Sequence, residues 1–214
     1  TTGGFNTALG HSAAPALTTG GSNIAIGHTA LNVNQTGAFN CAIGRSALSS
    51  YTGDSAVAIG QAALNACTTG GNNTAVGINA ASNVTTGSHN TAIGHNALDD
   101  ATTGVNNTVV GSSAGANITT ADHNTAFGAS ALAANTTGEY NVAVGSLALD
   151  ANTTGVGSTA VGYIALTAST GSYNTAFGAY ALQANTTGAA NTAVSPFSLY
   201  YNTTGSNNTA VGYN

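Results

Sequence analysis

Charge is nearly absent from this chain of 214 residues: it has one basic residue, Arg45, and six acidic ones, Asp54, Asp99, Asp100, Asp122, Glu139 and Asp150. A nucleic-acid binder must neutralise phosphates with a basic surface, so this scarcity excludes that class of partner. Methionine and tryptophan do not occur, and proline and cysteine occur twice each. No apolar run approaches the ~20 residues that span a bilayer, so no membrane insertion is expected in this segment. The opening Thr1-Thr2-Gly3-Gly4 has neither a basic stretch nor a signal core. A soluble mature chain is expected, with any export signal outside it.

What the chain has instead is a unit of seventeen residues that recurs throughout, T-T-G-x-x-N-T-A-V-G-x-x-A-L-x-x-N. The glycine closing N-T-A-x-G stands at Gly10, Gly27, Gly44, Gly60, Gly77, Gly94, Gly111, Gly128, Gly145, Gly162, Gly178 and Gly212, with Ser195 in its place once. Spacings are seventeen except for two of sixteen, which end at Gly60 and Gly178. A short fixed period marks a repeat architecture whose units bury their apolar sides only by stacking on their neighbours. The apolar residues keep their phase, which a disordered low-complexity tract has no reason to do.

Slots are numbered here from the Asn of N-T-A-x-G. Slot two exchanges Thr with Val, Ile and Cys, as at Ile24, Cys41, Val57 and Val142, and slot four is always apolar. Residues two apart share a face of a strand, so both are assigned to the core and the Ala of slot three faces outward. An outward column held to Ala suggests close contact with something flat, such as another chain. The Ala-Leu pairs, for example Ala30-Leu31 and Ala97-Leu98, read as a second short strand with its Leu in the core. Helices are disfavoured because glycine interrupts every unit.

The Thr-Gly corners are read as tight turns, where glycine supplies a positive φ or room. Both one-residue deletions fall just before such a corner, after Leu48 and after Leu166, so that segment is a loop. The expected fold is therefore all-β: a parallel β-solenoid of about thirteen coils, each with two short strands. Residues 1–214 are read as one continuous domain. The unit opens and closes mid-pattern without an atypical end, so the chain is expected to be an excerpt of a longer fibre.

Asn fills slot one at Asn6, Asn23, Asn40, Asn73, Asn90, Asn107, Asn124, Asn141, Asn174, Asn191 and Asn208. At the ~4.8 Å spacing of stacked strands, identical Asn side chains can bond along the stack as a structural ladder. Asn-x-Thr sequons at Asn34, Asn135, Asn152, Asn185 and Asn202 are candidate glycosylation sites, although the repeat places Asn before Thr without any such role.

The stretches Asn23-Ile24-Ala25-Ile26-Gly27, Asn40-Cys41-Ala42-Ile43-Gly44 and Ala56-Val57-Ala58-Ile59-Gly60 resemble the N-S-V-A-I-G core of head repeats in trimeric autotransporter adhesins. Asn174-Thr175-Ala176-Phe177-Gly178 through Asn185-Thr186-Thr187-Gly188 is similar to repeats of bacterial surface and phage tail-fibre proteins. The resemblance implies a parallel β-roll or β-helix, commonly trimeric, displayed on a cell surface or virion and used for attachment.

No other chemistry is assembled. His11 and His28 share a slot in adjacent coils, but Arg45 follows them and no metal site is expected. Asp99-Asp100 reads as a solvated loop, and no recurring aspartate supplies a calcium repeat. Cys41 and Cys67 fall in different phases, which disfavours the Cα approach within about 7 Å that a disulfide requires. No enzyme activity and no cofactor are expected. The leading expectation is an extracellular structural or adhesive fibre that self-associates, with a surface glycan or receptor as ligand. The alternative is an ice-binding solenoid using the Thr of slot fourteen. Two adjacent Thr in extended backbone would point to opposite faces, which leaves that alternative a single rank.

Overall fold

The computed structural model describes residues 3–213; Thr1, Thr2 with its place in the slot-fourteen series, and Asn214 lie outside the described residues. Thirteen three-residue strands follow one another: β1 (Thr7–Leu9), β2 (Ile24–Ile26), β3 (Cys41–Ile43), β4 (Val57–Ile59), β5 (Thr74–Val76), β6 (Thr91–Ile93), β7 (Thr108–Val110), β8 (Thr125–Phe127), β9 (Val142–Val144), β10 (Thr159–Val161), β11 (Thr175–Phe177), β12 (Thr192–Val194) and β13 (Thr209–Val211). They form a single sheet in sequence order, each strand parallel to the next. Slot pairs with slot throughout: Thr91 opposes Thr108, Ala92 opposes Val109, and Ile93 opposes Val110. The fold is a β-solenoid, and no helix occurs among the described residues.

The sidedness of the strand is the reverse of the expected one. Ala in slot three is fully buried, as at Ala42, Ala58, Ala92 and Ala126, while slots two and four are half-buried or exposed. The coil is narrow, so its strand side holds Ala opposite the slot-nine Leu, and the one larger residue, Val109, is buried in the coil where Gly115 replaces that Leu. The exchange of Thr with Val and Ile reflects what suits a pleated surface rather than burial. Cys41 accordingly stands half-buried on the outer face.

The second expected strand is also absent, leaving one strand per coil. The Ala-Leu segment is a chain of turns in which Leu98 and its equivalents adopt the left-handed conformation, with φ of 54° at Leu98 and 52° at Leu166. Their side chains do fill the interior, beside the slot-three Ala: Ala97, Leu98, Ala131 and Leu132 are fully buried. Burying a Leu side chain contributes about 2 kcal/mol. The left-handed conformation of a non-glycine residue costs on the order of 1 kcal/mol, so burial outweighs it.

Hydrogen bonds between coils hold these turns as firmly as they hold the strands. In the sixth coil the Thr91 amide donates to Asn107 O at 2.8 Å and the Gly94 amide to Val76 O at 2.8 Å. The Asn96 amide reaches back to Ile78 O, and the Leu98 amide reaches forward to Ala114 O, each at 3.0 Å. Within one coil some amides therefore bond to the coil before and others to the coil after. Slot-five glycines carry φ near +130°, 135° at Gly94, whereas the corner glycine Gly104 supplies room instead: a Cβ there would sit 2.6 Å from Ala121 O.

The two deletions leave one threonine at the corner, Thr52 or Thr170, which makes the slot-thirteen bonds, so the missing residue is that of slot fourteen. Tyr51 occupies slot twelve fully buried, and the next residue, Thr52, donates through its amide and its hydroxyl to Thr68 O. The shortened coil thereby keeps its bonds to the next one.

Candidate functional surface

Equivalent slots stand above one another along the stack, so functional candidates in this molecule are columns rather than pockets. The slot-one Asn column is a polar ladder inside the coil. Asn107 Nδ2 donates to Asn90 Oδ1 at 3.2 Å and to Ala121 O at 2.8 Å, and its Oδ1 accepts from the Asn124 amide at 3.0 Å. The same connections run from Asn6 to Asn23 and from Asn191 to Asn208. Ser158, which replaces Asn once, accepts the Asn174 amide with its hydroxyl.

The sequon residues form a second interior column in slot twelve. Asn34, Asn135, Asn152 and Asn185 are fully buried, and Asn202 is half-buried in the last complete coil. Asn135 Nδ2 donates to Gly138 O at 2.8 Å, Asn152 Nδ2 to Asn135 Oδ1 at 3.1 Å, Asn185 Nδ2 to Ser169 Oγ at 3.1 Å, and Asn202 Nδ2 to Asn185 Oδ1 at 3.1 Å. Four of the five candidate glycosylation positions therefore face the coil interior. An amide nitrogen bonded inside a closed coil has no room for a sugar, and these residues cap the corner glycine instead. In other coils the slot takes Val84, Ala101 or Ile118, so the column alternates between apolar filling and corner capping.

On the outside, His11 and His28 stack with ring centroids 5.3 Å apart. Arg45 follows them, and no group of three metal-binding side chains occurs among the described residues. Asp99 accepts from Ser82 and Asp100 from Asn83, both tying one loop to the next. Tyr163, Tyr180, Phe197 and Tyr213 run along the last four coils, with Tyr180 and Phe197 stacked at 4.9 Å. Tyr163 meets Tyr180, and Tyr213 meets Phe197, edge-on. A hollow lined by Leu199, Tyr200, Tyr201, Asn202 and Ala210 opens above the final complete coil and is uncovered interior.

Cys67 is buried in the slot-twelve column, where desolvation pushes its thiol up to about 11 despite hydrogen bonds from the corner. At pH 8 the native protein should therefore leave Cys67 unmodified by a thiol reagent over hours, with reaction following only on unfolding. Rapid native labelling at Cys67, read by peptide mass spectrometry, would show that the coil interior opens.

Two outer surfaces remain. One is the sheet face of slots two and four, uncharged throughout, where Ile59, Ile93, Phe127, Val144, Phe177 and Val194 are between 37 and 48 % exposed. The other is the Thr-Thr-Gly corner. Its backbone is a bend rather than a strand, so both threonines lie at the surface between the buried slots twelve and fifteen. The extended backbone from which they were expected to face opposite ways is not present there. Slot-thirteen hydroxyls are pinned: Thr85 Oγ1 donates to Thr102 O at 2.9 Å, Thr102 to Thr119 O at 3.2 Å, and Thr119 to Thr136 O at 3.1 Å. Slot-fourteen threonines are exposed at Thr19, Thr36, Thr69, Thr86, Thr103, Thr120, Thr137, Thr154, Thr187 and Thr204. Their hydroxyls have no partner among the described residues.

Compared with known protein families, with curated proteins and with solved structures, the chain gives no match.

Proposed function

We propose that this chain is a stiff, non-catalytic rod belonging to an extracellular fibre of a cell surface or virion, used for attachment. The observation that carries this reading is the unbroken register of β1 through β13. Each strand pairs slot for slot with the strands above and below it, and such an array yields length and stiffness rather than an enclosed site. At one strand spacing per coil the rod is about 60 Å long. The resemblance of N-I-A-I-G and its variants to adhesin and tail-fibre repeats points the same way.

Self-association rests on different ground from that first expected, because the Ala column faces inward. It is assigned here to the uncharged sheet face along its apolar slot-four column, since a contiguous exposed apolar strip marks an interaction surface. Small-angle scattering in dilute solution should give an elongated particle with a cross-section one coil wide, and sedimentation at rising concentration should show association that Ile93→Lys abolishes. A compact globular scattering profile would overturn the rod; concentration-independent monomers would overturn the assigned face.

A further inference from the structure

The geometry points to the paired threonine ranks of slots thirteen and fourteen as an ice-binding surface. The first ground is the behaviour of slot fourteen. An exposed side chain with no internal bond is free to vary, and the comparably exposed slot six varies through His28, Arg45, Gln61, Ile78 and His95 in successive coils. Slot fourteen is Thr in every described coil of full length; in the two shortened coils the one corner threonine, Thr52 or Thr170, makes the slot-thirteen bond to Thr68 O or Thr186 O instead. Neither packing nor hydrogen bonding within the chain accounts for that constancy.

The second ground is periodicity. A discrete ligand such as a sugar or a peptide engages a few neighbouring residues and places no demand on distant coils. A surface kept identical along the whole rod fits a ligand that is itself periodic over the same length. With eight Thr-Thr pairs between Thr68 and Thr204 at ~4.8 Å per coil, the array runs for about 40 Å.

The third ground is chemistry. Neither rank carries a charge, so no group holds a tight hydration shell against the lattice. Thr offers one hydroxyl and one methyl on a stiff χ1, and slot thirteen is further locked by its bond to the next coil. Ordered water can join the free slot-fourteen hydroxyls while the methyl groups sit within its cages. The other periodic partners fit less well: crystalline polysaccharide is gripped by aromatic rings, which neither exposed rank contains, and the cores of protein interfaces favour aromatic, Met and Arg side chains.

The test is ice recrystallisation inhibition and partition into growing ice by the whole chain at micromolar concentration. A triple variant Thr103→Lys, Thr120→Lys, Thr137→Lys should retain the circular dichroism spectrum and melting temperature and need at least tenfold more protein for the same inhibition. A matched triple on another exposed column, His95→Lys, Ser112→Lys, Ala129→Lys, should leave inhibition unchanged. Three results would overturn the assignment: a folded wild-type chain excluded from ice; activity that the slot-fourteen variant retains; or a slot-fourteen variant that instead loses sedimentation to cellulose or self-association. The scattering measurement above judges the rod independently, so an inactive but elongated protein would sink the ice surface alone.

Discussion

Replacing Asn107 by alanine is expected to destabilise the protein by about 4 kcal/mol, since two or more buried partners each lose a hydrogen bond and an unsatisfied buried group costs about 1–3 kcal/mol. Asn107 is fully buried, and its side chain serves the Asn124 amide on one side and Ala121 O on the other. Neither group has water within reach as a substitute. The loss should be concentrated in the coils on either side, because each unit of a solenoid contacts only its neighbours. Urea unfolding gives the magnitude, and amide exchange gives the place: the Asn124 N–H should exchange far faster in the variant. A change below 1 kcal/mol with Asn124 still protected would mean that the ladder is ornamental.

A larger loss is expected from Gly94→Val. A Cβ at Gly94 would lie 2.5 Å from Gly111 O and 2.7 Å from Gly111 C, and the backbone holds φ at +135°. The obstacle is backbone of the next coil, which cannot turn aside as a flexible side chain would. The coils must part locally, which adds lost inter-coil bonds to a conformational strain of up to about 3 kcal/mol, so the total should exceed about 4 kcal/mol. The chain contains its own control. Ser195 occupies the same slot with φ of 114°, the only non-glycine residue to do so. Ser195→Gly should therefore stabilise the protein by about 1 kcal/mol, and Gly94→Ser should be milder than Gly94→Val. Thermal melts of the three variants would rank them, and a neutral Gly94→Val would refute the close approach of successive coils.

The period was legible because its evidence is arithmetic: the equal spacing of Gly77, Gly94, Gly111 and Gly128 requires no knowledge of conformation. Coil stacking and the strand position followed directly. Sidedness was not legible, since alternation alone cannot say which face is inside. The usual rule that large apolar residues go inward fails where the interior beside the strand holds only Ala, as at Ala58 and Ala92. The Ala-Leu turn was misread for a related reason. Leu31 and Leu64, with φ of 51° and 49°, occupy a conformation that the sequence normally advertises with Gly or Asn, and the neighbouring coils impose it on a residue chosen for burial. The second Asn column was visible only as sequons. Its capping role depends on Asn135 and Gly138 meeting across the corner, a contact that spacing alone does not assign. The paired threonines were placed on opposite sides by an assumption of extended backbone, and a single bend at Thr85-Thr86 undoes it.

Because the bonds between coils run along the rod's long axis, a load applied between its two ends does not shear many of them at once. It peels one turn, then the next. A turn of seventeen residues drawn out straight spans nearly 60 Å against the ~4.8 Å it occupied, so each released turn lengthens the tether by about 50 Å. The molecule should resist bending and crushing yet yield gradually under tension, absorbing work turn by turn instead of snapping. An attachment strand exposed to flow would gain from that behaviour.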